Sequence, residues 1–243
     1  MFTFDETILA ASLKIAGIGK THALLEQYLN CSGICLLTED PTLPVSWADT
    51  TVGFLVADAT EEHAWEKFQQ GIQSAKEQKI LLLPMLITAQ LPESASSFMQ
   101  INPQYFIDEA ELYAYIAESI KSIQSFISEP GLVNIDLEDI RFLFTEEGRF
   151  AFSYGERESQ IDKCAAARMA LKQLRMMTPP IPAAKYIILN ITGSEDNLSM
   201  FEIQEICEFV NEELGTNSSC IIWGANIDNT LADRIYVSIW VKF

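Results

Sequence analysis

Basic residues are scarce in this chain: 16 Lys and Arg stand against 34 Asp and Glu, a formal net charge of −18. Phosphodiester backbones and anionic lipid headgroups are held by clustered cations that displace counterions, so this balance argues against nucleic-acid and membrane partners. Histidine is scarcer still, with only His22 and His63, and neither lies in a recognisable nucleophile motif. The five cysteines, at 31, 35, 164, 207 and 220, are odd in number and form no CxxC. With two histidines they do not assemble four ligands at zinc-site spacing, so buried thiols of a reducing compartment are expected, and no metal. No apolar run reaches the roughly 18 residues that a bilayer-spanning helix needs. The amino end, Met1 to Ile8, carries Asp5 and Glu6 and no basic residue ahead of its apolar stretch, the reverse of a secretory leader. A cytoplasmic protein is expected.

What is present is ordinary globular material, 49% hydrophobic and 21% charged over 243 residues, enough for one large or two small domains. Short apolar runs at Leu13–Gly17, Gly33–Leu37, Thr51–Ala57 and Ile80–Ile87 read as buried strands. They alternate with helical stretches at Lys20–Leu29 and Glu61–Lys79, the second capped by Thr60, a parallel-sheet pattern. Ala89–Pro103, rich in Ser and Pro, reads as a loop. From Asp108 to Ser128, Leu112, Ile116, Ile120, Ile123 and Ile127 form one helical stripe that stops at Pro130-Gly131.

Beyond that stop, Asp136 stands where a helix N-cap accepts the amide three residues on, and Asn134 and Asp139 flank it. The second half reads as a strand at Phe150–Tyr154, a turn at Glu156-Arg157-Glu158, a helix at Gln160–Leu174 and a strand at Lys185–Thr192. A helix at Met200–Leu214 and strands at Cys220–Ile227 and Arg234–Phe243 complete an α+β pattern. Gly17-Ile-Gly-Lys-Thr21 invites a P-loop reading, but the first glycine of GxxxxGK[ST] would fall at Lys14, inside the strand. A plain strand-to-helix turn is expected there.

The stretch Gly131-Leu-Val-Asn-Ile-Asp-Leu-Glu-Asp139 resembles the catalytic loop of FtsZ, the bacterial tubulin homologue, in which NxDxxD follows Pro-Gly at the end of the long central helix. Gly155-Glu-Arg-Glu158, Ala165–Ala170, Ile191-Thr-Gly193, Phe201-Glu-Ile203 and Trp223–Asp228 resemble later FtsZ segments in the same order, so the likeness covers about residues 105 to 243. It implies the α/β tubulin/FtsZ-like fold: a Rossmann-like parallel-sheet domain at 1–107, a central helix at 108–130, and an α+β domain with a four-stranded sheet at 131–243. It also implies a part in cell division, with Asn134, Asp136 and Asp139 acting in trans to orient the water that attacks a neighbour's γ-phosphate.

The amino half departs from that family. Gly17, Gly19, Lys20 and Thr21 are all that corresponds to the first glycine-rich loop, and their side chains crowd a phosphate where bare amides are needed. Asp58-Ala-Thr-Glu-Glu62 stands where the family has GGGTGTG. Tyr113 and Ala114 stand where an Asn-Asp pair reads guanine. The half is also shorter, and the chain ends at Phe243 without the family's partner-docking tail. The expectation is therefore an assembly or regulatory subunit that makes longitudinal contacts with FtsZ or with itself through its catalytic-loop face. It hydrolyses no GTP of its own and needs no cofactor. A divergent GTPase polymerising with GTP and Mg²⁺, or a nucleotide-independent homo-oligomer, are the alternatives.

Overall fold

The computed structural model describes residues 12–29, 34–90, 97–128, 131–145, 148–158, 162–178, 184–215 and 220–243, and the chain divides into two units, Met1–Pro84 and Met85–Phe243. In the first unit β1 (Leu13–Gly17) lies between β2 (Ile34–Leu36) and β3 (Val52–Asp58), parallel to both, with Leu13 opposite Ile34 on one side and Val52 on the other. From Val52 to Ala57, β3 is buried at every position, as a continuous apolar run covered on both faces should be. The helices are α1 (Lys20–Tyr28) and α2 (Ala64–Glu77); α2 buries Ala64, Phe68, Ile72 and Ala75, which recur at steps of four, four and three.

The expected start of that second helix is corrected. Thr60 caps nothing: its amide and hydroxyl both donate to Asp58 Oδ1, at 2.9 and 2.7 Å. Residues 58–63 fold into a turn that ends at His63, in the left-handed region at φ 58°, and α2 begins at Ala64.

Strand β4 (Leu81–Ile87) carries the chain into the second unit, where its end runs parallel to β5 (Met99–Ile101). The expected loop over Ala89–Pro103 thus contains a short strand. Next come α3 (Glu109–Ser128) and α4 (Leu137–Thr145), then β6 (Phe150–Glu158), α5 (Ala165–Met177) and β7 (Tyr186–Gly193). The chain finishes with α6 (Met200–Leu214), β8 (Cys220–Ile227) and β9 (Arg234–Lys242). From β5 the strand order is β5-β6-β9-β7-β8, with β9 antiparallel to both its neighbours. Glu156, Arg157 and Glu158 belong to β6 rather than to a turn; Glu156 stands opposite Tyr236 and makes a diagonal ion pair with Arg234 of β9. β6, β9, β7 and β8 are the four strands expected for this half, and through β6 they continue into β5 rather than ending as a separate sheet.

Beneath α5 and α6 the core is aliphatic: Ala166, Ala170 and Leu174 of α5 and Ile203, Ile206 and Val210 of α6 pack with Ile187, Leu189 and Val237 of the sheet, whereas Phe144, Phe150, Phe152 and Trp240 form a buried aromatic cluster. The tight fit at α5 needs Gly155, where a Cβ would overlap the carbonyl of Ala166. Buried polar contacts fix α3: Tyr115 Oη donates to the Phe152 carbonyl at 2.7 Å, and the Ser122 and Ser238 hydroxyls meet at 2.9 Å. Burial pushes the Tyr115 phenol well above its usual range, so it stays a neutral donor.

Candidate functional site

Two regions correspond to the residues singled out in the sequence, one in each unit. The first lies at the carboxyl ends of β1 and β2, where parallel α/β sheets place ligands. Gly17 permits the turn out of β1, since a Cβ there would overlap the backbone of Thr21 and His22. Gly19, at φ 65°, then sets the first amide of α1. That amide, Lys20 N–H, donates to both oxygens of the Glu61 carboxylate, at 3.1 and 3.2 Å. A Cβ on Gly19 would overlap the same carboxylate, so the glycine that lets a backbone approach phosphate in other folds here lets it approach Glu61.

A carboxylate at a helix N-terminus takes the place and sign of a phosphoryl oxygen, because orphan amides and the helix dipole favour either anion. Beside it is a cleft of about 250 Å³, lined by the Gly17–Gly19 turn, His22, the Leu37–Thr42 segment and Lys67. Asp40 holds its proton less tightly than an ordinary Asp, first because the Thr42 amide donates to it at 2.9 Å and then because the Thr42 hydroxyl does so at 2.8 Å. It remains charged, and it lines the cleft together with the Glu39 carboxyl and the Lys67 amine, the latter close enough to favour its charge. Gly17 and Gly19 line this space. Lys20 is exposed, with its backbone amide already engaged, and Thr21 is wholly buried in α1.

On α3, Tyr113 is buried and Ala114 exposed. The Glu61 contact joins positions 41 apart and has no local sequence signal. A lone glycine at 19 and an acid after β3 were its only traces.

The second region is the loop between α3 and α4. Val133 bridges Ala225 of β8 in antiparallel register, with bonds of 3.2 and 3.0 Å, while Ile135 is buried against Gly224. The loop is thereby clamped to the sheet edge, leaving Asn134 and Asp136 exposed and Asp139 half-buried. All three side chains are tied down locally. Asn134 Oδ1 accepts from the Gly131 amide at 2.7 Å. Asp136 Oδ1 accepts from the Asp139 amide at 2.8 Å, and Asp139 Oδ2 accepts from the Asp136 amide at 3.2 Å, a reciprocal capping box made of two acids. Burial raises the proton affinity of Asp139 above the ordinary range; the Asp136 amide opposes this and the Asp136 charge adds to it. The loop thus presents an acidic edge fixed by backbone amides, with Asp139 holding its proton more firmly than an ordinary Asp.

Comparison with known proteins bears on the fold that carries both regions. Residues 148–242 match the FtsZ family, C-terminal domain. The chain is 31% identical over 120 residues to the cell division protein FtsZ of Wolbachia pipientis, covering 49% of this chain and 38% of that protein. It is 27% identical over 180 residues to the mitochondrial division protein fszA of Dictyostelium discoideum, covering 74% of this chain and 33% of that protein. The matched segments thus span little more than a third of these relatives. Among solved structures, an empty FtsZ dimer from M. jannaschii superposes with a TM-score of 0.72 at 16% identity, over 96% of this chain and 88% of that one. CetZ from Methanosaeta thermophila superposes at 0.67 and 13% identity, over 95% of this chain and 86% of that one. The α/β fold is the tubulin/FtsZ fold.

Proposed function

We propose that this chain, which belongs to the FtsZ/tubulin superfamily, is an assembly or regulatory subunit that docks through the Asn134–Asp139 loop and hydrolyses no GTP of its own. The observation that carries the proposal is the Glu61 carboxylate seated on the Lys20 amide. A nucleotide phosphate entering there must first displace a charge-assisted hydrogen bond, at a cost of about 1.5–3 kcal/mol. It must then lie beside Glu61 and Asp40, both of its own sign. The side chains at Lys20, Thr21 and His22 do not replace the missing amides.

The docking loop has none of these obstacles. Its carboxylates are held by backbone amides at the head of α4, and its strand segment is clamped to β8. An acidic edge of that kind can orient a water molecule against the terminal phosphate of a nucleotide carried by another subunit, with Asp139, whose proton affinity burial raises above that of an ordinary Asp, suited to accept the water's proton. The partner is an FtsZ-type subunit that carries nucleotide, or a second copy if nucleotide is dispensable. Docking of this polarity lets the subunit join one end of a filament without offering a nucleotide to the next.

Co-sedimentation with filaments of an FtsZ assembled in GTP tests the reading. The wild-type protein should pellet with filaments and stay soluble alone, and Asp139→Asn, which keeps the fold, should still pellet while lowering any GTP turnover the subunit stimulates. Failure to pellet together with filament growth by the protein alone in GTP would overturn it.

A further inference from the structure

The surface of α6 has an apolar end and an acidic flank that the Asn134–Asp139 loop does not use. Phe201 is 83% exposed and Met200 58%, large values for apolar side chains in a folded protein. Both stand in the first turn of α6, which is fixed by a reciprocal capping box between Ser199 and Glu202. Lys163 holds Glu202 from a second direction at 3.4 Å. The two side chains therefore project from a rigid turn, so that little backbone ordering is left for a binding step.

With Ile203, Gln204, Cys207 and Trp223 of β8 they wall a cleft of about 320 Å³. Burial pushes the Cys207 thiol up to about 12, so that wall stays uncharged. Along the helix from Phe201, steps of four, three and four lead to Glu205, Glu208 and Glu212, all exposed on one stripe. The Gln204 amide donates to Glu208 at 2.8 Å, and α6 contains no basic residue.

We propose that this stripe and cleft are a docking surface for a basic, apolar protein segment, whose bulky side chain enters between Phe201 and Trp223 while its Lys or Arg residues face Glu205, Glu208 and Glu212. An aromatic anchor beside a rim of complementary charge is the usual anatomy of a binding hot spot. The charge selects the partner. A second copy presenting the same stripe would set carboxylates against carboxylates on bodies of net charge −18, and an anionic membrane would be repelled in the same way.

The test uses the full chain and a fluorescein-labelled amphipathic peptide with Leu and Trp on one face and Lys on the other, read by fluorescence anisotropy at about 0.15 M salt, where long-range attraction is screened. Phe201→Ser and Glu205→Gln/Glu208→Gln should each weaken binding about tenfold. Glu66→Gln/Glu77→Gln, the same change of net charge placed on α2, should leave it unchanged, and a peptide with Glu in place of Lys should not bind. The proposal is overturned if the peptide fails to bind the wild-type chain at about 1 mM. It is equally overturned if the α2 variant weakens binding as much as the α6 variant, since attraction is then general, or if Phe201→Ser has no effect.

Discussion

Glu61 carries more of the account than any other residue, because it changes what a familiar strand-turn-helix does. Its carboxylate bonds to the first amide of α1, and Gly19 clears the space for it. Glu61→Ala should leave the Lys20 amide open to water, so that its hydrogen exchange rises by about fivefold for roughly 1 kcal/mol of lost capping, measurable by NMR. The two acids of the second region should separate on mutation. Asp136→Ala removes the N-cap of α4 and should cost about 1 kcal/mol in chemical denaturation. Asp139→Asn keeps an acceptor for the Asp136 amide and removes only the charge. Because the folded protein holds the Asp139 proton more tightly than the unfolded chain, the wild type is favoured at low pH and loses that contribution as pH rises above the ordinary value of 3.8. The Tm of Asp139→Asn relative to wild type should therefore be higher at pH 7 than at pH 4, and thermal melts at the two values check the sign.

At the scale of elements, the limiting feature is close packing of helix on sheet. Gly155 of β6 lies so near α5 that a Cβ would overlap the Ala166 carbonyl and come within 2.8 Å of the Ala170 nitrogen. Gly155→Ala should therefore destabilise by about 1–3 kcal/mol in urea unfolding. Elements with strong periodicity were legible in the sequence: α6 and β8 begin and end where the apolar pattern placed them, and Asp136 caps α4 as its position required. Others were not. Strand β5 is three residues in a stretch rich in Ser and Pro, too short for an alternation to show. Thr60-Glu61-Glu62 obeys the local grammar of a helix start, but Asp58 wins the Thr60 amide and Glu61 finds a partner on another element. Of the candidate site, the loop from Asn134 to Asp139 was legible because its geometry is local. The filled end of α1 was not, since tertiary contact alone brings Glu61 there.

On the scale of the whole molecule, the tubulin/FtsZ fold is present, and the proposal that its first cleft holds no nucleotide is compatible with that fold because function resides in the site. The net charge of −18 then governs association. Raising ionic strength shortens the Debye length from about 30 Å at 0.01 M to about 8 Å at 0.15 M, so any self-association of this chain should strengthen with salt, as analytical ultracentrifugation across that range would show.

The most direct test of the central claim is calorimetric titration of the wild-type protein with GTP and with GDP in the presence of Mg²⁺, at concentrations able to detect a Kd of about 100 µM, roughly −5.5 kcal/mol. Neither nucleotide should give binding heat. Saturable 1:1 binding of a guanine nucleotide would contradict it, since Glu61 and Asp40 would then have failed to hold the phosphate end of the cleft against an incoming anion.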